Sequence, residues 1–399
     1  MIERDLTKSL QKAAAAYPVV TLTGPRQSGK TTLVRHVFRD YQYASLEDPE
    51  LRTFAQDDPR GFLRQFNRRV ILDEVQRVPE LFSFIQVIVD EEDMAGQFIL
   101  TGSQNFLLIN SINQSLAGRS AVFHLLPFSQ NELALADVFP LGLIGRGFPP
   151  ARPAPDIDLK NCLFAGFYPR IHDKNLEPQE WLKNYYKTYV ERDVRDILNV
   201  GDLEAFQRFV GLCAGRNGQL LNLSSLASDC GITHTTARRW LSVLEASFIV
   251  MLLRPHYKNF RKRLVKSPKL YFLDTGLLCY LLRIKSADEL LFHAARGSIF
   301  EAFVVSELYK KALHQGKDPD CSFWRDSAGH EVDVIIDISP QPVPLEVKSG
   351  MTVAADFYKG IEYWRKLSGA REDSPAALIY GGDNSVVRNG VHIYAWWNF

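Results

Sequence analysis

The stretch GPRQSGKTTLVR, residues 24–35, decides the fold of the N-terminal region. It matches the pattern G-x-x-x-x-G-K-[S/T], with Lys30 and Thr31 as the last two positions. The preceding run PVVTLT, residues 18–23, is apolar and β-branched, so the order strand, glycine loop, helix is predicted. Backbone N–H groups in such a loop and at the helix N-terminus surround phosphate oxygens. The sequence therefore predicts a nucleoside triphosphate site.

ATP and Mg²⁺ are the expected occupants of this site. Lys30 would reach the β- and γ-phosphate oxygens, and the Thr31 hydroxyl would ligate Mg²⁺. The residues expected to contact the nucleotide are Gly24, Pro25, Arg26, Gln27, Ser28, Gly29, Lys30, Thr31 and Thr32.

A second strand with acids at its end supports the prediction. In RRVILDEVQRVPELF, residues 68–82, a continuously apolar VIL run ends in Asp73 and Glu74, as in a strand that is buried on both faces. The carboxyl edge of such a sheet is where ligands bind. We expect Asp73 to hold Mg²⁺ and Glu74 to orient or deprotonate the attacking water. A strand that merely ends in solvated acids fits less well, because spacing and order agree with the phosphate loop.

A third strand, QFILTGSQNF at residues 97–106, also ends in polar side chains. Ser103 or Asn105 would help to position the water there, and Ser103 is expected at the nucleotide. Polar residues end many strands, so the choice between them stays open.

These segments resemble the AAA+ type ATPases. More narrowly, they resemble a bacterial and archaeal family in which such an ATPase precedes a C-terminal region of unknown function. The resemblance rests on GPRQSGKTTLVR, SLEDPELR, ILDEVQRVPELF, FILTGSQN and SLAGR, and it runs through the whole chain. It implies an α/β P-loop fold with a parallel sheet. It also implies that Arg119, at the end of SLAGR, is an arginine finger that acts in cis or from a neighbouring subunit of a homo-oligomer. A surface salt bridge at Arg119, or a finger at Arg26, are the alternatives.

Length and composition predict several domains. The chain has 399 residues, of which 46% are apolar. A single hydrophobic core stops growing at about 250 to 300 residues, so this chain is long enough to form more than one. We expect an ATPase domain at 1–140, a linker and helical segment at 141–215, a winged helix-turn-helix at 216–285 and a nuclease-like domain at 286–399. The linker prediction rests on the Pro- and Gly-rich sequence of residues 140–156.

Charge and cysteine content limit the partners. Lys and Arg total 47 against 46 for Asp and Glu, so an attraction for nucleic acid requires a local basic patch. The five cysteines show no C-x-x-C spacing, which fits thiols in a reducing cytoplasm and argues against structural zinc. No apolar run approaches the roughly 18 residues of a membrane span. A cytoplasmic protein without a membrane partner is expected.

The middle of the chain predicts a helix and then a helix-turn-helix. WLKNYYKTYVERDVRDIL, residues 181–198, has helical periodicity, and its ERDVRD segment is either a solvated face or an ion-pair relay to the nucleotide. Within residues 220–255, one helical pattern stops at Gly231 and another starts after a Thr233 cap. FIVMLLRP and KLYFLDTGLL would supply the strands of a wing.

Two features of this region favour nucleic acid, most simply DNA. The second helix would expose to a major groove the side chains of His234, Thr235, Arg238 and Arg239. The stretch RPHYKNFRKRLVKSPK, residues 254–269, carries seven basic residues, no acid and two aromatics. Winged helices also dock proteins or cover ATPase sites, and charge runs usually face solvent, so these alternatives stay open.

The C-terminal region predicts a second cluster of charges. Glu301 lies at the edge of an apolar helix face, and period-two alternation places Asp333, Glu346 and Lys348 on one face of a hairpin. Carboxylates there suit Mg²⁺, with Glu301, Asp333 and Glu346 as ligands, while Lys348 stabilises charge or orients the nucleophile. This arrangement resembles the PD-(D/E)xK nuclease core, with Val332 where that pattern has proline. A degenerate domain that only binds, or a salt-bridged hairpin, is the alternative.

Three functions remain open from the sequence. The first is a nucleic-acid-associated ATPase whose nuclease-like domain cleaves or only binds DNA. The second is a nucleotide-switched regulatory protein without nuclease activity. A kinase or other phosphoryl transferase is the third.

Overall fold

The computed structural model describes residues 2–66, 68–92, 94–103, 115–151, 153–190, 202–256, 265–338 and 341–399. Asn105, the ERDVRD segment at 191–196 and residues 257–264 of the basic stretch lie outside this range. The chain divides into two compact units. The first ends at Phe128 and also includes Ala246–Phe248 and Leu313–Lys317, and the remaining residues form the second. The first unit thus ends before the expected boundary at 140, while the division of the rest into three domains stays a prediction.

A five-stranded parallel sheet forms the centre of the first unit. Its order is β2-β3-β4-β1-β5, so that β4 lies between the strand before the phosphate loop and the strand that ends in Asp73. The strands are β1 Val19–Thr23, β2 Gln42–Ser45, β3 Val70–Asp73, β4 Phe98–Gly102 and β5 Ser120–His124. β1, β3 and β4 are buried along their whole length, as expected of a parallel sheet that is covered on both faces.

Helices cover both faces of this sheet. One core cluster joins Leu10 of the first helix and Leu33 of the second to Val20 and Ile99. The opposite cluster contains apolar residues of the three following helices. The helices are α1 Thr7–Ala14, α2 Lys30–Val37, α3 Pro49–Asp57, α4 Pro59–Gln65 and α5 Leu81–Glu92. The first unit is therefore a three-layer α/β domain whose phosphate loop lies at the carboxyl edge of the sheet.

Helices and a two-stranded sheet make up the first part of the second unit. The helices are α6 Gln130–Leu133, α7 Leu159–Ala165, α8 Pro169–Lys174, α9 Pro178–Tyr185, α10 Leu203–Gly215, α11 Leu223–Cys230, α12 His234–Ala246, α13 Thr275–Leu281 and α14 Ala287–Phe292. A π-helical turn, Tyr186–Val190, continues α9. The Pro-rich loop after α6 is anchored by Tyr394, whose hydroxyl accepts from the Gly145 amide and donates to the Gly147 carbonyl.

Helix α11 ends at Gly231, which has a left-handed conformation with φ of +70°. The Thr233 hydroxyl accepts a hydrogen bond from the Thr236 amide at 3.1 Å and so caps α12. Antiparallel strands β6 Val250–Leu253 and β7 Lys269–Phe272 follow. These helices and strands lie where the sequence predicts them, except that the end of KLYFLDTGLL begins helix α13 at Thr275 instead of extending the strand.

A six-stranded mixed sheet forms the last part of the chain, in the order β12-β13-β11-β10-β9-β8. Its strands are β8 Cys321–Arg325, β9 Glu331–Ile336, β10 Val343–Lys348, β11 Ala377–Tyr380, β12 Val386–Arg388 and β13 Val391–Ala395. Helix α15 Arg296–Leu313 precedes it, and α16 Lys359–Ser368 packs on β9 and β10. Strand β10 is buried from Val343 to Val347, so Glu346 is buried although it lies on the predicted charged face of the hairpin.

Among the residues that the structure describes, none of the helices combines the length and the apolar composition required to cross a membrane.

Candidate functional site

The phosphate loop requires glycine at two positions. Gly24 has φ of +150°, and a Cβ there would lie 2.1 Å from the carbonyl oxygen of Leu125. The loop can therefore pass this close to the Leu125 backbone only if position 24 has no side chain. Gly29, the residue before α2, has φ of +92°, which favours glycine. The loop thus turns directly from β1 into the N-terminus of α2.

The Lys30 ammonium lies on the loop itself. Its Nζ donates to the carbonyl oxygens of Gly24 at 2.9 Å and Pro25 at 2.8 Å. Burial lowers the pKa of Lys30 to about 8, although the nearby Glu74 and Asp73 raise it. A triphosphate would supply oxygens in place of the two carbonyls and a charge that favours the protonated amine.

The Asp73 carboxylate accepts three hydroxyl groups from different elements. Oδ2 accepts from Thr31 Oγ1 at 2.9 Å and from the Tyr43 hydroxyl at 2.8 Å, and Oδ1 accepts from Thr101. The sequence pattern did not identify Tyr43 or Thr101, because strands distant in sequence bring them here. The adjacent Thr31 hydroxyl and Asp73 carboxylate are hard oxygen donors and therefore fit Mg²⁺.

Other atoms in the loop region also fit a polar ligand. The hydroxyls of Thr23 and Ser28 are buried and have no hydrogen-bond partner among the described residues. Ser28 is one of the residues expected at the nucleotide, and Thr23 directly precedes the loop. Buried polar atoms without partners are uncommon in native proteins.

Glu74 is held at the same edge of the sheet. It adopts a left-handed conformation with φ of +55°, directly after β3. Its Oε2 accepts from the Ser103 hydroxyl at 2.9 Å and from the Gln76 side-chain amide. Ser103, expected at the nucleotide, thus contacts Glu74 and orients it.

Arg4 supports the loop from the N-terminus of the chain. The guanidinium donates to the carbonyl oxygens of Ser28 at 2.8 Å and Leu126 at 2.7 Å, and the residue is buried. No sequence motif marks this arginine, because its partners are a loop and a strand end far along the chain.

Arg119 lies at the opposite edge of the sheet from the phosphate loop. Val19 pairs with Ser120 at the beginning of β1 and β5, whereas Gly24 follows the last residue of β1. Five strand residues separate the two edges, which is on the order of 15 Å. Arg119 instead forms an ion pair with Asp90 at the protein surface and lowers the pKa of that carboxyl. The expectation of a finger that acts in cis was therefore wrong.

The remaining predicted nucleotide contacts differ in exposure. Gln27 and Thr32 are exposed, Arg26 is half-buried and Pro25 is buried. Nothing among these contacts opposes the predicted role of the loop.

We predict that the affinity for ATP depends on pH through Lys30. Its pKa is about 8 without ligand and higher beside a triphosphate, so binding takes up a proton above pH 8. Affinity should be unaffected by this group below about pH 7 and should fall by up to about tenfold per pH unit above pH 8. Titration of a fluorescent ATP analogue from pH 6.5 to 9.5 measures this.

Lys30→Arg is the matched control, because a guanidinium stays protonated throughout this range. The same decline in Lys30→Arg, or a flat wild-type profile, would contradict the prediction.

In the second unit, the predicted hairpin residues do come together. Glu346 of β10 lies opposite Asp333 of β9, continuing the register that pairs Leu345 with Val334. Lys348 Nζ donates to Glu346 Oε2 at 2.5 Å and to Asp333 Oδ2 at 3.1 Å. The Val347 amide also donates to Asp333 Oδ2, at 2.9 Å. The two carboxylates therefore share one ammonium group.

The pKa values of these two carboxyl groups shift in opposite directions. Burial alone would raise the pKa of Asp333, but Lys348 and Lys269 outweigh it and lower that pKa. Burial and the charge of Asp333 raise the pKa of Glu346 well above its usual range. Glu346 Oε1 has no hydrogen-bond partner among the described residues, and a Cβ on Gly360 would lie 1.9 Å from it. Glycine in α16 is what leaves room for this carboxylate.

Glu301 does not join the other two carboxylates as expected. Its Oε1 accepts from Lys269 Nζ at 3.0 Å and from the Tyr271 hydroxyl at 2.5 Å. Within the described parts of the chain, the ligand atoms of Glu301, Asp333 and Glu346 do not all lie within 4.8 Å of one another. The predicted three-carboxylate metal site is therefore not assembled. Asp333 and Glu346 still fit a divalent cation by donor chemistry and by the unpartnered Oε1.

One residue of the basic stretch is not exposed. Lys269, counted among its exposed charges, is buried in ion pairs with Glu301 and Glu331. On α12, in contrast, His234, Thr235, Arg238 and Arg239 are all exposed, as the sequence predicts.

A cavity of about 420 Å³ lies in the second unit, and none of Asp333, Glu346 and Lys348 lines it. Ser349, the residue after Lys348, lines it together with Gly381 after β11 and Phe300 beside Glu301. Arg296 and Trp396 contribute further wall. The carboxyl ends of β10 and β11 thus open onto space that a ligand can enter.

Comparison with known families divides the chain into three matches. Residues 16–134 match the family described as AAA domain, which covers the phosphate loop, Asp73, Glu74 and Ser103. Residues 156–288 and 296–399 each match a domain of unknown function, DUF8612 and DUF4143 respectively. With the parallel sheet and its loop, the first match shows that the N-terminal unit is an AAA-type P-loop ATPase domain.

Two curated relatives match most of the chain. They are the uncharacterized proteins Rv2008c of Mycobacterium tuberculosis and Mb2031c of Mycobacterium bovis, each 31% identical over 351 residues. Each alignment covers 88% of this chain and 74% of the relative. The chain belongs to the family of these mycobacterial proteins.

Solved structures with some similarity include a Walker-type ATPase of Pyrococcus abyssi, at 12% identity and a TM-score of 0.45. That match covers 71% of this chain and 96% of the other. AMPPCP-bound DnaA from Aquifex aeolicus matches at 16% identity and a TM-score of 0.29, over 60% of this chain and 85% of DnaA.

Proposed function

We propose that this family member hydrolyses ATP with Mg²⁺ and that its nucleotide state regulates a C-terminal region that acts on nucleic acid. The observation that carries the proposal is the hydrogen bond from the Thr31 hydroxyl to the Asp73 carboxylate, directly beside the phosphate loop. Glu74 follows Asp73 at the same edge of the sheet. Hydroxyl, carboxylate and ammonium groups in this arrangement are those that phosphoryl transfer requires.

The residues would act as follows. Lys30 leaves the carbonyls of Gly24 and Pro25 and binds the β- and γ-phosphate oxygens. Thr31 and Asp73 would hold Mg²⁺, which would supply positive charge beside the phosphates. Glu74, fixed by Ser103, orients the attacking water and accepts its proton. Arg119 remains a proposed finger only for the nucleotide of a neighbouring copy in a homo-oligomer.

Glu74→Gln tests the hydrolytic part. Loss of the carboxylate base should lower kcat by about a hundredfold or more, whereas ATP affinity should change little because the phosphate contacts remain. Phosphate release and binding of a fluorescent ATP analogue measure the two effects. Glu80→Gln, an exposed acid in the same segment, is the control. Wild-type phosphate release by Glu74→Gln would remove Glu74 from the mechanism, and phosphate appearing on an acceptor would favour a transferase.

Nucleic acid is the proposed partner of the second unit. Support comes from the exposed His234, Thr235, Arg238 and Arg239 on α12, which follows a helix and a glycine turn as in a winged helix-turn-helix. The basic stretch 254–269 supports the same partner through its composition. A cytoplasmic location is part of this proposal.

Cleavage of the nucleic acid is a second candidate activity. It is supported by Asp333 and Glu346 facing each other with Lys348 bonded to both, as in the PD-(D/E)xK pattern. A divalent cation at this pair would polarise a phosphodiester, and Lys348 would stabilise the charge that develops. The competing proposal is a domain that binds without cleaving.

Asp333→Asn separates these two proposals. If the domain cleaves, wild-type protein with Mg²⁺ or Mn²⁺ should cut labelled DNA or RNA, and Asp333→Asn should reduce the rate by about a hundredfold or more because a proposed metal ligand is lost. Asp318→Asn, an exposed acid outside the cluster, should cut normally. An absence of cutting by wild-type protein that hydrolyses ATP would leave the binding-only proposal.

A further inference from the structure

Lys269 is an ammonium group buried inside the carboxylate region. It is the first residue of β7, and its side chain is 3% exposed. Nζ lies 3.0 Å from Glu301 Oε1, forms a second ion pair with Glu331 and lies 5.6 Å from the centre of the Phe323 ring. Tyr271, on the same strand, donates to the same oxygen of Glu301. One strand therefore supplies two donors that fix Glu301.

This ion pairing balances charge that a metal would otherwise balance. An unpaired buried ammonium is costly, so Lys269 needs Glu301 and Glu331 as partners. These carboxylates and Asp333 raise the pKa of Lys269 further, although burial opposes this, so it stays protonated. Glu301 thus meets its counter-charge within the chain.

Glu346 still has a carboxylate oxygen that no donor occupies among the described residues. Glu346 is buried, with a side chain that is 5% exposed, and its Oε1 has no partner among the described residues. Lys348 occupies only Oε2. Oε1 lies against α16, where glycine at position 360 leaves room for it. The cluster thus keeps one carboxylate oxygen without a donor among the described residues, while Lys269 and Tyr271 hold Glu301.

We propose that Lys269 is a tethered cation that holds Glu301 away from Asp333 and Glu346 and so keeps their divalent-cation site in a low-affinity state. Removal of the Lys269 charge frees Glu301 as a third ligand. This inference rests on the proposed metal site at Asp333 and Glu346, and it assigns the control of that site to strand β7.

Binding of Mn²⁺ without nucleotide tests the inference, with free Mn²⁺ measured by electron paramagnetic resonance. Wild type, Lys269→Met and Lys266→Met are each compared with the same protein carrying Asp333→Asn, so that ions bound elsewhere are subtracted. The Asp333-dependent affinity should rise at least about tenfold in Lys269→Met, because loss of even a supporting contact at a metal site costs about 10- to 100-fold in affinity. It should not change in Lys266→Met, an exposed lysine nearby.

Two further variants identify the cause. Lys269→Arg keeps the charge and should keep the affinity low. Lys269→Met with Glu301→Gln lacks the freed ligand and should lose the gain. A gain that persists with Glu301→Gln would overturn the role assigned to Glu301.

Thermal melting provides a readout that is independent of activity. Lys269→Met leaves Glu301 and Glu331 without their ammonium, so its melting temperature should fall, and Mn²⁺ should restore it in this variant but raise it little in wild type. If Lys269→Met does not fold, Lys269→Met with Glu331→Gln removes one opposing charge as well and takes its place.

The outcomes distinguish this inference from the proposed function. Asp333-dependent Mn²⁺ binding that is equally tight in wild type and Lys269→Met would overturn the role of Lys269 and leave the metal site standing. No Asp333-dependent binding in any folded variant would overturn both.

Discussion

The hydroxyl contacts of Asp73 are the interaction on which the nucleotide site depends. One buried carboxylate accepts from Thr31 on α2, Tyr43 on β2 and Thr101 on β4. A carboxylate in such a position is stable only when donors surround it. These donors fix the end of β3 relative to two other strands and to the helix that carries the phosphate loop. The position of Glu74, the next residue, follows from the same contacts.

In the second unit, lysine ammonium groups instead of hydroxyls contact the buried carboxylates. Asp333 and Glu346 share Lys348, while Glu301 and Glu331 share Lys269. Each lysine contacts two carboxylates, and Arg325 also pairs with Glu331, so three cationic side chains face four carboxylates. A divalent cation would have to compete with those side chains. Under the proposal made above, this competition would keep the affinity of the pair Asp333 and Glu346 for a divalent cation low.

The sequence predicted the parts that depend on local patterns, and it failed where distant contacts decide. The loop with Lys30 and the strand with Asp73 are continuous motifs, and the structure places them as expected. Arg4 gave no signal, because its partners are backbone carbonyls far along the chain. A run of basic residues predicts exposure, but Lys269 is buried because Glu301 and Glu331 of other elements pair with it. Arg119 failed as a cis finger because motif order does not reveal the edge of the sheet.

A crystal structure with a non-hydrolysable ATP analogue and Mn²⁺, with the metal located by its anomalous signal, tests the proposed nucleotide site. We expect Mn²⁺ between Thr31 and Asp73, with Lys30 moved from the carbonyls of Gly24 and Pro25 to the phosphate oxygens. Nucleotide bound away from the loop, or bound at the loop with Lys30 still on those carbonyls, would contradict it.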